Sequence, residues 1–142
     1  MYALDNDTLS LFLRRQEPVT ARVLAVPLED VRLPAVVVEE QVQGRLSLLA
    51  SLDTRRSIGT DKIPEAYAFL LRTLRQLENF QFLPYTEEAE LLFQSWPASV
   101  KRVGTHDCRI AATAVVNGFA VVTCNTRHFG LIPGVKAEDW SR

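Results

Sequence analysis

The sequence predicts an α/β domain of three layers, α/β/α, in which helices cover both faces of a mainly parallel central sheet of about five strands. Short apolar, β-branched runs alternate with amphipathic helical segments along all 142 residues, a pattern typical of parallel strands joined by helical connections. The length also corresponds to about one domain. We therefore expect residues 1–142 to form a single domain.

The composition is that of an ordinary globular protein. Hydrophobic residues make up 47% of the chain and charged residues 23%, which excludes disorder, collagen-like repeats and a coiled coil as the main architecture. The net charge of −1 excludes a uniformly basic nucleic-acid-binding protein but not a local basic patch. With two cysteines, no signal sequence and no apolar run of about 18 residues, the chain is expected to be cytoplasmic and free of the membrane.

The first part of the chain is predicted to contain two strands and three helices. Asp5-Asn6-Asp7 ends the first apolar run and supplies good helix N-caps. Pro18 and Pro27 each follow a short helical pattern and end it. The predicted elements are a strand at 2–4, a helix at 8–16, a short helix at 19–26, a β-branched strand at 31–38 and a helix at 39–52.

The remainder continues the alternation. Pro64 lies in the first turn of a strongly amphipathic helix, and Asn117-Gly118 is a typical helix C-terminus. The predicted elements are a loop at 51–60, a helix at 63–77, a strand at 80–83, a helix from 86 to 96, a small-residue helix after Asp107, a strand at 119–123 and an edge strand around Val135.

Three carboxylates and one amide lie where the predicted strands end or helices begin. Asp5 follows the first strand, Glu40 the second, Asp107 begins the late helix, and Asn125 follows the strand at 119–123. Carboxyl ends of parallel strands share one sheet edge, so these groups should meet there. Three carboxylates within about 5 Å would repel by about 3 kcal/mol per pair at an effective dielectric near 20. Oxygen donors select Mg²⁺ or Mn²⁺, a centre suited to phosphodiester hydrolysis.

Each acid also has an ordinary structural interpretation. Asp5 or Asp7 can be a helix cap, Glu40 a solvated helix charge, and Asp107 a first-turn charge favoured by the helix dipole. Receiver-like and haloacid-dehalogenase-like domains gather acids at a similar edge. The acids alone therefore leave more than one site chemistry open.

Four segments carry these residues: YALDNDTLS at 2–10, EQVQG at 40–44, GTHDCRIAATA at 104–114 and VTCNTRHF at 122–129. In order and spacing, over essentially the entire chain, they resemble the motifs of the PIN-domain family, and more narrowly those of VapC-type toxins of bacterial type II toxin-antitoxin pairs. The resemblance implies a Mg²⁺- or Mn²⁺-dependent endoribonuclease. It also implies a cognate antitoxin protein whose tail enters the acidic groove, and usually a homodimer.

The same resemblance assigns roles to individual residues. Asp5, Glu40 and Asp107 fall on the family's three principal acids and would bind the metal, and Glu40 is preferred to Glu39 because it lies four residues before a glycine. The fourth catalytic position, acidic in many members, is Asn125, whose neutral amide would bind a second ion, if there is one, weakly or only together with substrate.

His128 stands where an acid commonly precedes the phenylalanine. Five further residues are candidates for binding RNA, the basic ones through phosphates and the threonine through a water or phosphate: Arg14, Arg15, Lys101, Arg102 and Thr123.

Two other functions remain open at this point. The neutral Asn125 favours a PIN-like binding or regulatory module that has lost catalysis and acts through its antitoxin partner. A phosphate-monoester hydrolase or phosphoacceptor domain would instead use Asp5 as a nucleophile.

Overall fold

The structure is a computed structural model that describes residues 1–55 and 59–142. Its centre is a five-stranded sheet in which every neighbouring pair of strands is parallel. The strands are β1 (Tyr2–Leu4), β2 (Val31–Pro34), β3 (Gln81–Leu83), β4 (Ala120–Val122) and β5 (Lys136–Glu138). Their spatial order is β3-β2-β1-β4-β5, so the winding direction reverses between β1 and β4, where doubly wound sheets bind ligands.

Helices connect the strands and complete the α/β/α arrangement, which confirms the predicted fold class. The helices are α1 (Asn6–Leu13), α2 (Val19–Ala25), α3 (Ala35–Asp53), α4 (Lys62–Leu77), α5 (Glu87–Ser95), α6 (Ala98–Lys101), α7 (Thr105–Asn117) and α8 (Thr126–Phe129), with a 3-10 turn at Leu28–Asp30. No helix within the described ranges is long and apolar enough to cross a membrane.

The main core lies between the sheet and its helices. Leu4, Leu33 and Val121, from three neighbouring strands, are completely buried. The α7 helix packs against them with a face of small side chains that includes Ala111 and Ala112, both also completely buried. The small residues predicted for this helix therefore allow it to approach the sheet closely.

The predicted strand at 31–38 is wrong in its second half. The chain passes from β2 into α3 without a loop, with Pro34 as the N-cap, and Ala35–Val38 form the first turn of the helix. Val36 and Val37 are buried, and a short buried apolar run has no periodicity that separates a strand from a helix. The same helix extends to Asp53, so the predicted loop begins later, and residues 56–58 of that loop lie outside the described residues.

The apolar stripe of α4 is less buried than its periodicity suggests. Tyr67 and Leu71 are 54% and 56% exposed. Helix α4 packs on α3 through a second, small cluster built around Leu49, Leu52 and Ala66. Helices α3 and α4 therefore form a pair beside the main core.

Candidate active site

The predicted acids are brought to one edge of the sheet by the topology. Asp5 follows β1 directly, and its backbone NH donates to the carbonyl of Val122, the last residue of β4, at 3.0 Å. Glu40 lies in the second turn of α3, the helix that continues β2. Asp107 lies in the first turn of α7, which leads into β4. All three acids therefore belong to elements that meet at the carboxyl ends of neighbouring parallel strands.

Asp5 is both a helix cap and a buried acid. Its side chain is 6% exposed, and its Oδ1 accepts a hydrogen bond of 2.7 Å from the backbone NH of Thr8 at the start of α1. Burial raises the pKa of the Asp5 carboxyl above its ordinary value, against the opposing effect of hydrogen bonds from the Thr123 side chain and the Thr8 backbone. The helix-cap interpretation is confirmed, and it leaves a carboxylate at the sheet edge.

Glu40 has a buried oxygen without a donor. Its Oε1 accepts no hydrogen bond from the part of the chain that the structure describes, although His106 Nδ1 lies 3.5 Å away. Burial raises the pKa of the Glu40 carboxyl; His106 lowers this pKa, and the charges of Asp107 and Asp5 raise it. A buried carboxylate oxygen without a donor is costly unless a positive charge compensates it, so this position suits a bound cation.

Asp107 is the third acid at this edge of the sheet. Burial raises its pKa, His128 lowers it, and the charge of Asp7 raises it. The turn before it needs Gly104, whose φ of 137° is a conformation that side chains rarely allow. A cavity of about 290 Å³ opens here. It is lined by Glu40, Gly104, Thr105, His106 and Asp107.

Two residues close to Asp5, Glu40 and Asp107 were not predicted as site residues. Asp7, in the first turn of α1, raises the pKa values of Asp5, Glu40 and Asp107 by its charge. The sequence signal was its position two residues after Asp5 at a helix N-terminus. His106 contacts the carboxylates of two adjacent glutamates, Glu39 and Glu40, at 3.5 Å each, and nothing in its local sequence indicates this.

The acids fit a hard divalent cation without forming a closed cage. Within residues 1–55 and 59–142, no three His, Cys, Asp or Glu side chains are arranged as a ready set of metal ligands. Mg²⁺ keeps several waters and uses one or two carboxylates in most sites. The oxygen donors and the unsatisfied Glu40 Oε1 therefore fit Mg²⁺ or Mn²⁺.

Asn125 and Thr123 lie at the end of β4. Asn125 is exposed and is the N-cap of α8, where its Oδ1 accepts from the backbone NH of His128 at 3.3 Å. Its own NH donates to the Thr123 hydroxyl at 2.9 Å. Thr123 is completely buried and lies next to Asp5, whose pKa it lowers. The amide oxygen of Asn125 is thus engaged in a helix cap, whereas Thr123 touches the acidic cluster.

The four predicted basic residues are not part of the lining of the cavity at Glu40 and Asp107. Arg14 lines a different cavity, between α1, α3 and α4. Lys101 Nζ donates to the carbonyl of Gln94 at 3.2 Å. Arg15 and Arg102 are exposed. In the described ranges none of the four lines the cavity at Glu40 and Asp107.

Comparison with known proteins identifies the family. The model of the PIN domain matches residues 6–133 of this chain. The chain belongs to the PIN domain family. The match begins directly after Asp5 and includes Glu40, Asp107 and Asn125. No curated protein sequence matches this PIN domain significantly.

Solved structures share the fold of this PIN domain along nearly the whole chain. Similar structures include DNA-bound VapBC from Salmonella typhimurium, with 23% identity, 98% of this chain and 97% of that chain covered, and a TM-score of 0.73. FitAcB from Neisseria gonorrhoeae has 25% identity, covers 96% of both chains and gives a TM-score of 0.72. VapBC2 from Rickettsia felis, bound to a promoter DNA fragment, has 15% identity, 98% coverage of both chains and a TM-score of 0.72.

The raised carboxyl pKa values predict how the stability of this PIN domain depends on pH. The folded chain keeps protons on Asp5, Glu40 and Asp107 that the unfolded chain has already released. The free energy of unfolding should therefore fall as the pH rises from about 4 through the raised pKa values. Without divalent ions, Glu40→Gln should be more stable than the wild type at neutral pH, and this advantage should shrink towards about pH 3.

Urea unfolding at a series of pH values measures this difference. Glu39→Gln, the exposed neighbour on the same helix, is the matched control. A wild type that stays more stable than Glu40→Gln at neutral pH would contradict the electrostatic description of the site.

Proposed function

We propose that this PIN domain is a Mg²⁺- or Mn²⁺-dependent endoribonuclease and the toxin of a toxin-antitoxin pair. The observation that carries the proposal is the unsatisfied Glu40 Oε1, buried at the sheet edge where Asp5 and Asp107 also have raised pKa values. Family membership supports it, because PIN domains are generally nucleases. The solved structures named above as VapBC are toxin-antitoxin complexes.

The proposed roles follow from where each side chain lies. Asp5 and Asp107 are the chief metal ligands, and the Thr123 side chain, which lowers the pKa of Asp5, helps to orient it. A divalent ion held there supplies positive charge to the phosphoryl oxygens of RNA. Glu40 is a further ligand or orients the attacking water. Asn125 contributes its amide oxygen at an outer position, exchanging its 3.3 Å cap bond for this role.

The proposal includes the setting of the enzyme. We place residues 1–142 in one PIN-like domain, because the sheet uses strands from residue 2 to residue 138. The proposed partners are RNA as substrate, a cognate antitoxin protein that occupies the acidic edge, and a second copy of the chain in a homodimer. The proposed location is the cytoplasm.

Metal binding and RNA cleavage test the proposal together. Protein stripped of ions with EDTA is titrated with Mn²⁺ in a calorimeter and then incubated with structured RNAs, with and without the ion. We expect Mn²⁺ to bind, to raise the free energy of unfolding by about 2.7 kcal/mol at one hundred times its dissociation constant, and to be required for cleavage. Cleavage that continues unchanged in EDTA, or that a Glu40→Gln preparation also shows, would contradict the proposal.

A second candidate is a binding or regulatory PIN module with weakened catalysis. It is favoured by Asn125, a neutral residue whose oxygen caps α8 in the structure. The same titration separates the two candidates, because binding of Mn²⁺ without cleavage of any RNA would favour the regulatory module.

A further inference from the structure

Three arginines from different helical segments surround a cavity of about 170 Å³ outside the acidic site. Arg14 caps the C-terminus of α1, Arg45 lies in α3 and Arg72 lies in α4. At about 30 Å³ per liquid water, the cavity has room for several waters or a small anionic group. We call it the arginine cavity.

The positive charge of the arginine cavity is not compensated. No Asp or Glu among residues 1–55 and 59–142 forms an ion pair with Arg14, Arg45 or Arg72. Burial lowers the pKa of the Arg45 guanidinium, and so does the charge of Arg14. Three cations facing one small cavity repel each other, and an anion between them would relieve this repulsion.

Arg45 is held in position as a binding group would be. Its guanidinium carbon lies 3.9 Å from the ring centroid of Phe69, and one terminal NH₂ donates to Gln41 Oε1 at 3.4 Å. A guanidinium that is stacked on a ring and held by a side-chain hydrogen bond loses little further freedom on binding, so it is preorganised for an oxyanion such as phosphate.

The arginine cavity neighbours the acidic site, because Gln41 lines this cavity and Glu40, the residue before it, lines the acidic one. Gln41, directly after Glu40, donates from Nε2 to Asn6 Oδ1 at 2.7 Å and to Ser10 Oγ at 3.0 Å, so it joins α3 to α1 between the two sites. Arg45 lies five residues beyond Glu40 on the same helix, so the two sites lie within about two turns of α3.

We infer that the arginine cavity binds a backbone phosphate of the RNA other than the one that is cleaved. The inference rests on the proposed function for the identity of the ligand. RNA is favoured over an acidic protein segment because the cavity adjoins the proposed cleavage site, where the strand needs cationic contacts that the acidic edge does not provide.

Salt-dependent RNA binding tests the inference without requiring cleavage. The probe is a short fluorescein-labelled single-stranded RNA of mixed sequence, bound to the whole protein in EDTA and followed by fluorescence anisotropy. Arg14→Gln/Arg72→Gln removes two exposed arginines of the cavity. Compared with the wild type, we expect the plot of log affinity against log salt to become less steep by about 0.7. We expect the affinity to fall about fivefold at about 0.1 M salt.

The matched control removes the same charge outside the cavity. Arg22 and Arg75 are both exposed and do not line the arginine cavity. Arg22→Gln/Arg75→Gln should keep the wild-type slope. Equal losses in the two double variants would overturn the inference, because RNA would then sense only the overall charge.

Two further readouts distinguish an RNA phosphate from a protein carboxylate as the occupant of the cavity, and binding from cleavage. If Arg14→Gln/Arg72→Gln binds RNA as tightly as the wild type but binds a labelled poly-glutamate peptide more weakly, the cavity binds protein carboxylates and the inference fails. Cleavage by wild type in Mn²⁺ is measured in parallel. If the wild type does not cleave RNA but the two double variants still differ in slope, the proposed nuclease activity is wrong and the phosphate site stands. If the wild type cleaves RNA but the slopes do not differ, the phosphate site is wrong and the proposed nuclease activity stands.

Discussion

Asp107→Asn is expected to abolish ion-dependent RNA cleavage, with a loss of at least about a hundredfold in rate, while the domain stays folded. A metal ion supplies several kcal/mol of transition-state stabilisation, and each 1.4 kcal/mol corresponds to a factor of about ten. The substitution removes the charge that would hold the ion. The fold should tolerate it, because burial already raises the pKa of the Asp107 carboxyl and a neutral amide is nearly the same size.

The same experiment on Asp5 separates catalysis from helix capping. Asp5→Asn keeps an oxygen that can accept from the Thr8 backbone NH, so it should lose cleavage with little loss of stability. Asp5→Ala should lose cleavage and also about 1 kcal/mol of stability, the usual value of an N-cap. The control is Asp53→Asn, an exposed carboxylate at the end of α3. Full activity in Asp107→Asn or Asp5→Asn would refute the assignment of the site.

Leu33→Ala is expected to lower the free energy of unfolding by about 2 to 5 kcal/mol, the range for truncating a buried leucine. Leu33 is completely buried in β2, between β1 and β3. Urea unfolding in the absence of divalent ions measures the change. The matched control is Leu71→Ala on α4, where the side chain is 56% exposed and the expected change is within about 0.5 kcal/mol.

Site variants at Asp107 and Asp5 should affect RNA cleavage, whereas the core variant at Leu33 should affect stability. Folded Leu33→Ala protein should cleave RNA at close to the wild-type rate, because Leu33 lies in the core and outside the acidic cavity. A loss below about 1 kcal/mol for Leu33→Ala would contradict its position in the main core.

Much of the fold could be predicted because its local signals agree with its tertiary structure. The strand at 2–4, its cap at Asp5 and the Gly118 that ends α7 all follow from short-range chemistry. The wrong prediction at 35–38 has a physical reason. Val36 and Val37 are β-branched and buried, which suits a strand, but the packing of α3 against the sheet decides their conformation.

The candidate site could be predicted in part, for a similar reason. Asp5 and Asp107 lie at the starts of helices as predicted, whereas Glu40 lies in the second turn of α3, six residues after β2 ends, and not directly beyond a strand. The contact of His106 with Glu39 and Glu40 exists only once α7 lies beside α3. Such contacts between distant segments leave no local pattern in the sequence.

The arginine cavity also could not be predicted from the sequence, because contacts between distant segments create it. Arg45 and Arg72 occur in helical segments where arginine is normally solvated. Only the packing of α4 on α3 places Phe69 under Arg45, and only this arrangement joins both arginines to Arg14. The charge balance of the whole chain gives no indication of it.

We propose that Asp5 and Asp107 bind a divalent ion at the end of the sheet, with Glu40 as a further ligand or beside the water of that ion. The most direct measurement is an anomalous-difference map from crystals of the protein grown with Mn²⁺. We expect a peak among these three side chains, with carboxylate oxygens about 2.1 Å from the ion, as in sites for Mg²⁺. A peak held by other residues, or no peak in crystals of protein that cleaves RNA with Mn²⁺, would contradict this claim.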